Sequence, residues 1–101
     1  MSEQKTRCRT PNADGVTNIP TWKFDVLRAA ILASIDATGA DGLLFRTLPE
    51  VVKARLSVDE KSRMGSVGWH VTTIKLELEV RGEIARVAAR SPQRLIRCQA
   101  P

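Results

Sequence analysis

The sequence predicts an α+β domain in which three helices form a core and a β-hairpin closes the C-terminal end. Val67, Val71, Ile74 and Leu78 recur at intervals of four, three and four residues, so they fall on one face of a helix. Gly82 follows that run where a left-handed residue ends a helix. Beyond it, Ile84–Ala88 and Gln93–Cys98 have the composition of two short strands, joined by Ala89-Arg90-Ser91-Pro92.

Residues 1–18 are polar, mixed in charge and broken by Pro11 and Asn12-Ala13-Asp14-Gly15, the pattern of a flexible N-terminal arm. The domain is expected over 19–98, with 99–101 as a tail. Its first helix starts at Pro20 or Thr21 and runs to about Asp36, with either Thr21 as cap or the proline in the first turn. Phe24, Leu27, Ile31 and Ile35 form its buried stripe, and Gly39 lies just past its end. Gly42 then turns the chain into Leu43-Leu44-Phe45, a short apolar strand. Thr47-Leu48-Pro49-Glu50 has capping-box spacing, and proline fits a first turn because its missing donor is not needed there. The second helix that follows carries Leu48, Val51, Val52 and Leu56. Ser57-Val58-Asp59-Glu60 repeats the capping pattern and starts a single extra turn before Gly65. Ser66 caps the third helix, although Gly68 in its first turn weakens the start.

A chain of 101 residues makes one small domain. Aromatics are only 4% and tyrosine is absent, so the core rests on aliphatic residues, with Trp22, Phe24, Phe45 and Trp69 as large fillers. No apolar run reaches the length of a membrane span, and residues 1–20 lack the apolar stretch of a signal peptide, which points to a soluble cytoplasmic protein with no membrane partner. Cys8 and Cys98 lie near opposite ends with no ligand spacing and read as free thiols, so neither a zinc site nor a disulfide framework is expected. The net charge of +5 is unevenly spread: from Lys61 onward there are eight basic residues against three acidic, which accounts for all of it. A basic stretch over the third helix and hairpin suits a nucleic-acid reader, and it also suits a merely solvated surface.

The junction Leu78-Glu79-Val80-Arg81-Gly82-Glu83-Ile84-Ala85-Arg86-Val87 resembles the end of the third helix in winged helix-turn-helix proteins. The order of helix, short strand, helix, helix and hairpin is also the winged-helix order, so the expected fold class is an α+β winged helix-turn-helix with a C-terminal β-hairpin wing. On Gly65-Ser66-Val67-Gly68-Trp69 and Ser91-Pro92-Gln93-Arg94-Leu95, the stretch Ile19–Ile96 is similar to a small uncharacterised family of bacterial proteins. That resemblance supports the fold and brings no activity with it.

Enzyme chemistry lacks its parts. His70 is the single histidine, no paired carboxylates stand out, and Gly65-Ser66-Val67-Gly68 lacks the lysine-serine ending of a phosphate loop. No catalytic residue, metal or cofactor is therefore expected. The favoured expectation is a small bacterial protein, possible regulator and possible homodimer, that binds double-stranded DNA. Ser66, His70, Thr72 and Thr73 would approach base edges from the first turns of the third helix. Lys61, Arg63 and Lys75 would neutralise phosphates, while Arg90, Gln93 and Arg94 would act from the wing, with weak help from Lys5, Arg7 and Arg9 on the arm.

The same helix raises an objection. Trp69, Thr73, Leu76 and Val80 form a second, largely apolar series, whereas a recognition helix should offer a polar face, and Glu77 and Glu79 add negative charge. Core packing is the plainer account of Trp69, Leu76 and Val80. A partner or dimer interface is the other, and it defines the alternative function, a protein-interaction or dimerisation module that does not bind DNA.

Overall fold

The computed structural model describes residues 4–11, 14–87 and 92–98. Strands β1 (Lys5–Arg9) and β2 (Val16–Pro20) pair antiparallel with Lys5 opposite Pro20 and Arg9 opposite Val16. Helix α1 spans Thr21–Asp36, strand β3 is Leu43–Leu44, and a short 3-10 turn over Phe45–Thr47 leads into α2 (Leu48–Lys53). Then come α3 (Val58–Met64), α4 (Val67–Val80), β4 (Ile84–Arg86) and β5 (Arg94–Arg97). The fold is thus α+β, with four helices and two small sheets among the described residues.

The N-terminal hairpin corrects the expectation of a flexible arm for residues 5–9 and 16–18, while residues 1–3 and 12–13 of that arm lie outside the described residues. Residues 5–9 and 16–20 alternate outward and inward, and the inward Cys8 and Ile19 are only 2% and 1% exposed. The alternation was hard to see because the inner face is built from Thr6, Cys8, Thr17 and Ile19, of which one is a large aliphatic residue. Two contacts fix the hairpin to the start of α1. The Thr21 amide donates to the Gln4 carbonyl at 2.9 Å, and the hydroxyls of Thr6 and Thr21 lie 2.8 Å apart. Thr21 therefore holds the hairpin, and Pro20 occupies the cap position with no side-chain hydrogen bond.

The apolar stripes read from the sequence are the core. Phe24, Leu27, Ile31 and Ile35 of α1 pack with Val71, Ile74 and Leu78 of α4, and with Leu48 and Val52 of α2, all at 3% exposure or less. Burying one such side chain stabilises the fold by roughly 1.5–3 kcal/mol. The end of α4 is a Schellman motif: Gly82 sits at φ 76°, its amide donates to the Glu79 carbonyl at 3.1 Å, and the Glu83 amide donates to the Leu78 carbonyl at 3.0 Å.

The two capping boxes fared differently. Ser57 forms a complete one, accepting from the Glu60 amide at 3.0 Å while Glu60 Oε1 accepts from the Ser57 amide at 2.8 Å, and α3 extends beyond the single turn expected. Thr47 forms none. The preceding 3-10 turn holds Thr47 at φ −91°, ψ −9°, away from the extended backbone a cap needs, and its hydroxyl donates back to the Leu44 carbonyl at 2.8 Å.

The second sheet has the order β3-β5-β4, with Leu43 opposite Leu95 and Ile84 opposite Arg97. Both hairpin strands are shorter than Ile84–Ala88 and Gln93–Cys98. Backbone bonds from Val87 to Arg94 and from Cys98 to Glu83, each 2.9 Å, extend the pairing at either end. Gly42 makes the close approach that lets β3 reach β5. Its φ is +82°, and a Cβ there would stand 2.5 Å from the Leu95 carbonyl oxygen.

Candidate interaction surface on the fourth helix

The charged side chains in the second half of α4 are turned toward neighbouring elements. Lys75 is 2% exposed; its Nζ donates to Gln93 Oε1 at 2.8 Å, lies 2.9 Å from Glu79 Oε2, and stands 4.5 Å from the Phe45 ring centroid. Burial pulls its pKa below the ordinary lysine value, opposed by the hydrogen bond to Glu79. The other oxygen of Glu79 accepts from Arg86 Nε at 2.9 Å. The expected phosphate contact by Lys75 and outward reach of Gln93 are therefore corrected, because both side chains strap the C-terminal hairpin to α4. An ammonium is tolerated there because acceptors arrive from its own helix and from the residue just before β5.

On the opposite flank Glu77 is fully buried and holds the N-terminal hairpin. It accepts from the Arg9 backbone amide at 2.7 Å, from Arg9 Nε at 3.1 Å and Nη2 at 2.8 Å, and from Arg81 Nε at 2.7 Å. Burial by itself would raise this carboxyl's pKa, but the donors from Arg9 and Arg81 overcome it and hold the carboxyl at about 2. Burial, with Glu77 nearby, pushes the Cys8 thiol up to about 11. Arg9 is an anchor rather than part of a loose cationic arm, while Lys5 and Arg7 lie exposed on the outer side of the hairpin.

What remains of α4 is an outward strip of Gly68, Trp69, Thr72, Thr73, Leu76 and Val80, which cluster within one side at about 100° per residue. None of these six is charged, and Glu79, which falls in the same arc, has its side chain only 10% exposed and paired with Lys75 and Arg86. Trp69 is 51% exposed and stands edge-on to His70 with ring centroids 4.9 Å apart, so the expectation that it is core is corrected. Leu76 and Val80 are half-buried. The Thr73 hydroxyl donates to the Trp69 carbonyl at 2.9 Å, and Thr72 is exposed.

The other expected DNA contacts are scattered. Ser66 caps α4, accepting from the Trp69 amide at 3.2 Å, and His70 turns back so that Nδ1 donates to the Ser66 carbonyl at 2.6 Å. Arg63 is exposed, lies over the Trp22 ring at 4.8 Å and is 3.6 Å from Asp59. Lys61 lines a cleft of about 340 Å³ at the start of α4, together with Lys53, Glu50 and Gly65. Among the described residues neither lysine is in an ion pair. Lys53 was missed because its nearness to α4 comes from the packing of α2, for which the sequence has no local signal. Arg94 points away to the Gly42 carbonyl at 3.3 Å, and Arg90 lies outside the described residues.

Among the described residues no group of three His, Cys, Asp or Glu side chains is placed to hold a metal ion, and no helix is long and apolar enough to cross a membrane. These features define a mixed α+β domain whose fourth helix leaves a largely uncharged face open. The chain belongs to a family of unknown function, DUF6958, whose model matches residues 5–95 and so takes in the N-terminal hairpin. No curated protein and no solved structure matches the chain.

Proposed function

We propose that the domain is a winged helix that works as a protein-interaction module, docking a protein surface on the outer strip of α4. The winged-helix reading is supported by the sheet order β3-β5-β4, with the short strand after α1 pairing to the last strand, and by α4 leading directly into the hairpin. The docking reading rests on one observation. Along α4 the charged side chains are engaged with the two hairpins, and the side left open holds a half-exposed tryptophan and, as its one charge, a Glu79 carboxylate already paired with Lys75 and Arg86. A DNA reader gains most of its affinity by setting cations against phosphates, so its docking face should carry them. A protein-binding core, by contrast, is enriched in aromatic residues and depleted in charge.

The second reading, a small DNA-binding protein and possible regulator, is favoured by the net charge of +5 and by Lys53 and Lys61 beside the α4 N-terminus. An NMR titration with a short mixed-sequence DNA duplex separates the two. The docking reading expects the amides of Trp69, Thr72, Thr73 and Leu76 to stay still even at low salt. Any weak shifts near Lys53 and Lys61 should vanish at physiological ionic strength. Salt-sensitive shifts centred on Thr72 and Thr73 would replace it with the DNA reading.

A further inference from the structure

We infer that the pocket between β1 and the end of α4 binds a phosphate monoester group, held by Arg7, Arg9 and Arg81. This pocket lies on a different flank of α4 from the docking strip, and the inference stands independently of that reading. The pocket, of about 450 Å³, is lined by Thr6, Arg7, Arg9, Glu77 and Arg81. Three guanidinium groups therefore share it with one carboxylate, an excess of two positive charges. Asp14 shares a neighbouring hollow with Arg9 and does not line this one, and Glu83 is taken up by Arg28 at 2.7 Å.

Surface arginines ordinarily part from one another by swinging into water, and two of these cannot. Arg81 Nε at 2.7 Å and Arg9 Nη2 at 2.8 Å both bond Glu77 Oε2, which pins the two guanidinium groups side by side. Arg81 also lies over the Phe24 ring, 4.6 Å from its centroid. Glu77 uses only some of the donors that it fixes. A guanidinium carries five N–H groups. Arg81 spends the one at Nε, and Arg9 spends Nε and one N–H of Nη2. Both Nη groups of Arg81 and Nη1 of Arg9 are left without a protein acceptor among the described residues. With the Arg81 and Arg9 side chains 35% and 54% exposed, a ligand can reach them.

Arg7 joins from the next outward position of β1, since alternate residues of a strand face the same side. Its backbone amide also points away from β2, because the Arg9 amide donates to Glu77 and amides two residues apart point the same way. The carbonyls that end α4 do not offset these donors, as they accept from the amides of Arg81, Gly82 and Glu83.

Charge and donor geometry select the ligand. A phosphate monoester carries about −1.5 to −2 at pH 7 and three acceptor oxygens, which matches two excess charges presented on forked donors. A phosphodiester or a carboxylate brings one charge. Among the described residues no apolar or aromatic side chain lines the pocket to hold a base or ring, so recognition stops at the phosphate and its carrier lies outside. The donors stay in contact with water, and a small phosphate ester should bind with a Kd on the order of a millimolar.

An NMR titration of the labelled chain at constant ionic strength, reading amides and arginine Nε–H signals, tests this with methyl phosphate, dimethyl phosphate and acetate. Methyl phosphate should shift residues 6–9 and Arg81 saturably, at least tenfold more tightly than either monoanion. Arg7→Gln, at an exposed position, should weaken it at least fivefold. Lys53→Gln, which removes a cation beside the α4 N-terminus, should leave it unchanged. Should Arg7→Gln disturb the fold by circular dichroism, Arg7→Lys replaces it, keeping the charge and losing the fork. A phosphoserine tripeptide then identifies the carrier. Binding at least tenfold tighter than methyl phosphate assigns a phosphorylated protein segment, and equal binding assigns a small phosphorylated compound. Absence of saturation at tens of times the expected Kd overturns the inference. Equal affinity for dimethyl phosphate, unchanged binding by the Arg7 variant, or shifts centred on Gly65 and Gly68 instead would do the same, and each of these leaves the α4 docking reading untouched.

Discussion

Replacing Glu77 by glutamine should loosen the N-terminal hairpin and remove one component of acid sensitivity. In the folded protein this carboxyl titrates at about 2, against an ordinary value of 4.5. Because the folded value is the lower one, its contribution to stability is complete above about pH 4.5 and is lost as pH falls toward 2. At about 1.4 kcal/mol per pH unit, the full difference corresponds to roughly 3 kcal/mol. The Arg9 side chain is 54% exposed, so solvent screens part of the attraction, and about 2 kcal/mol is the reasonable figure. Glutamine keeps one acceptor oxygen but sets an amide against two guanidinium groups that can turn to water. The expected loss at pH 7 is therefore about 2–3 kcal/mol, below that of stranding a wholly buried charge. Urea unfolding of wild type and Glu77→Gln at half-unit steps from pH 7 to pH 2 measures both quantities. Subtracting one series from the other cancels the other carboxylates. The difference should be near its full size at neutral pH and shrink as the solution is acidified below about pH 4.5. A difference that is small at pH 7, or that does not change with pH, would show that this carboxylate does not clamp the hairpin.

Two further outcomes follow from the geometry. Gly42→Ala should cost at least about 2 kcal/mol in urea unfolding, since the new methyl meets the Leu95 carbonyl on a backbone with positive φ; Gly39→Ala, where a Cβ meets nothing within 4 Å, should be close to neutral. At pH 8 a thiol reagent should label Cys98, which is half-buried, well before Cys8, whose thiol is buried and pushed up to about 11. Equal labelling rates in the native protein would mean that the β1 edge opens readily.

Where information was local, the sequence disclosed the structure. The stripes of α1 and α4, the Gly82 terminus, the Ser57 and Ser66 caps and the Leu43-Leu44 strand each depend on residues a few positions apart. The readings that failed depended on groups distant in sequence. Lys75 and Glu77 look like surface charges until Gln93 and Arg9 arrive beside them, 18 and 68 residues away. The N-terminal hairpin was hidden for another reason: threonine and cysteine form much of its inner face, so the alternation is weak on any hydrophobic scale. The Thr47 pattern was real as a spacing and inert in the fold, because a cap also needs an extended backbone that the preceding turn denies it. For the candidate surface, the series Trp69, Leu76 and Val80 was visible as a helical stripe. That it stays partly open could not be read, since exposure depends on which neighbours cover it.

The order β3-β5-β4 also bears on how the chain assembles. The central strand of that sheet is the last of the three in sequence, and β3 and β4 do not touch each other. During synthesis from the N-terminus, both outer strands are therefore made before the strand that joins them exists. The helices and the N-terminal hairpin can gather early, but the edges of β3 and β4 stay without a β-partner until Leu95 and its neighbours emerge. A nascent chain halted before that point presents two open strand edges and an uncovered patch of core, the kind of surface that chaperones hold and that promotes aggregation.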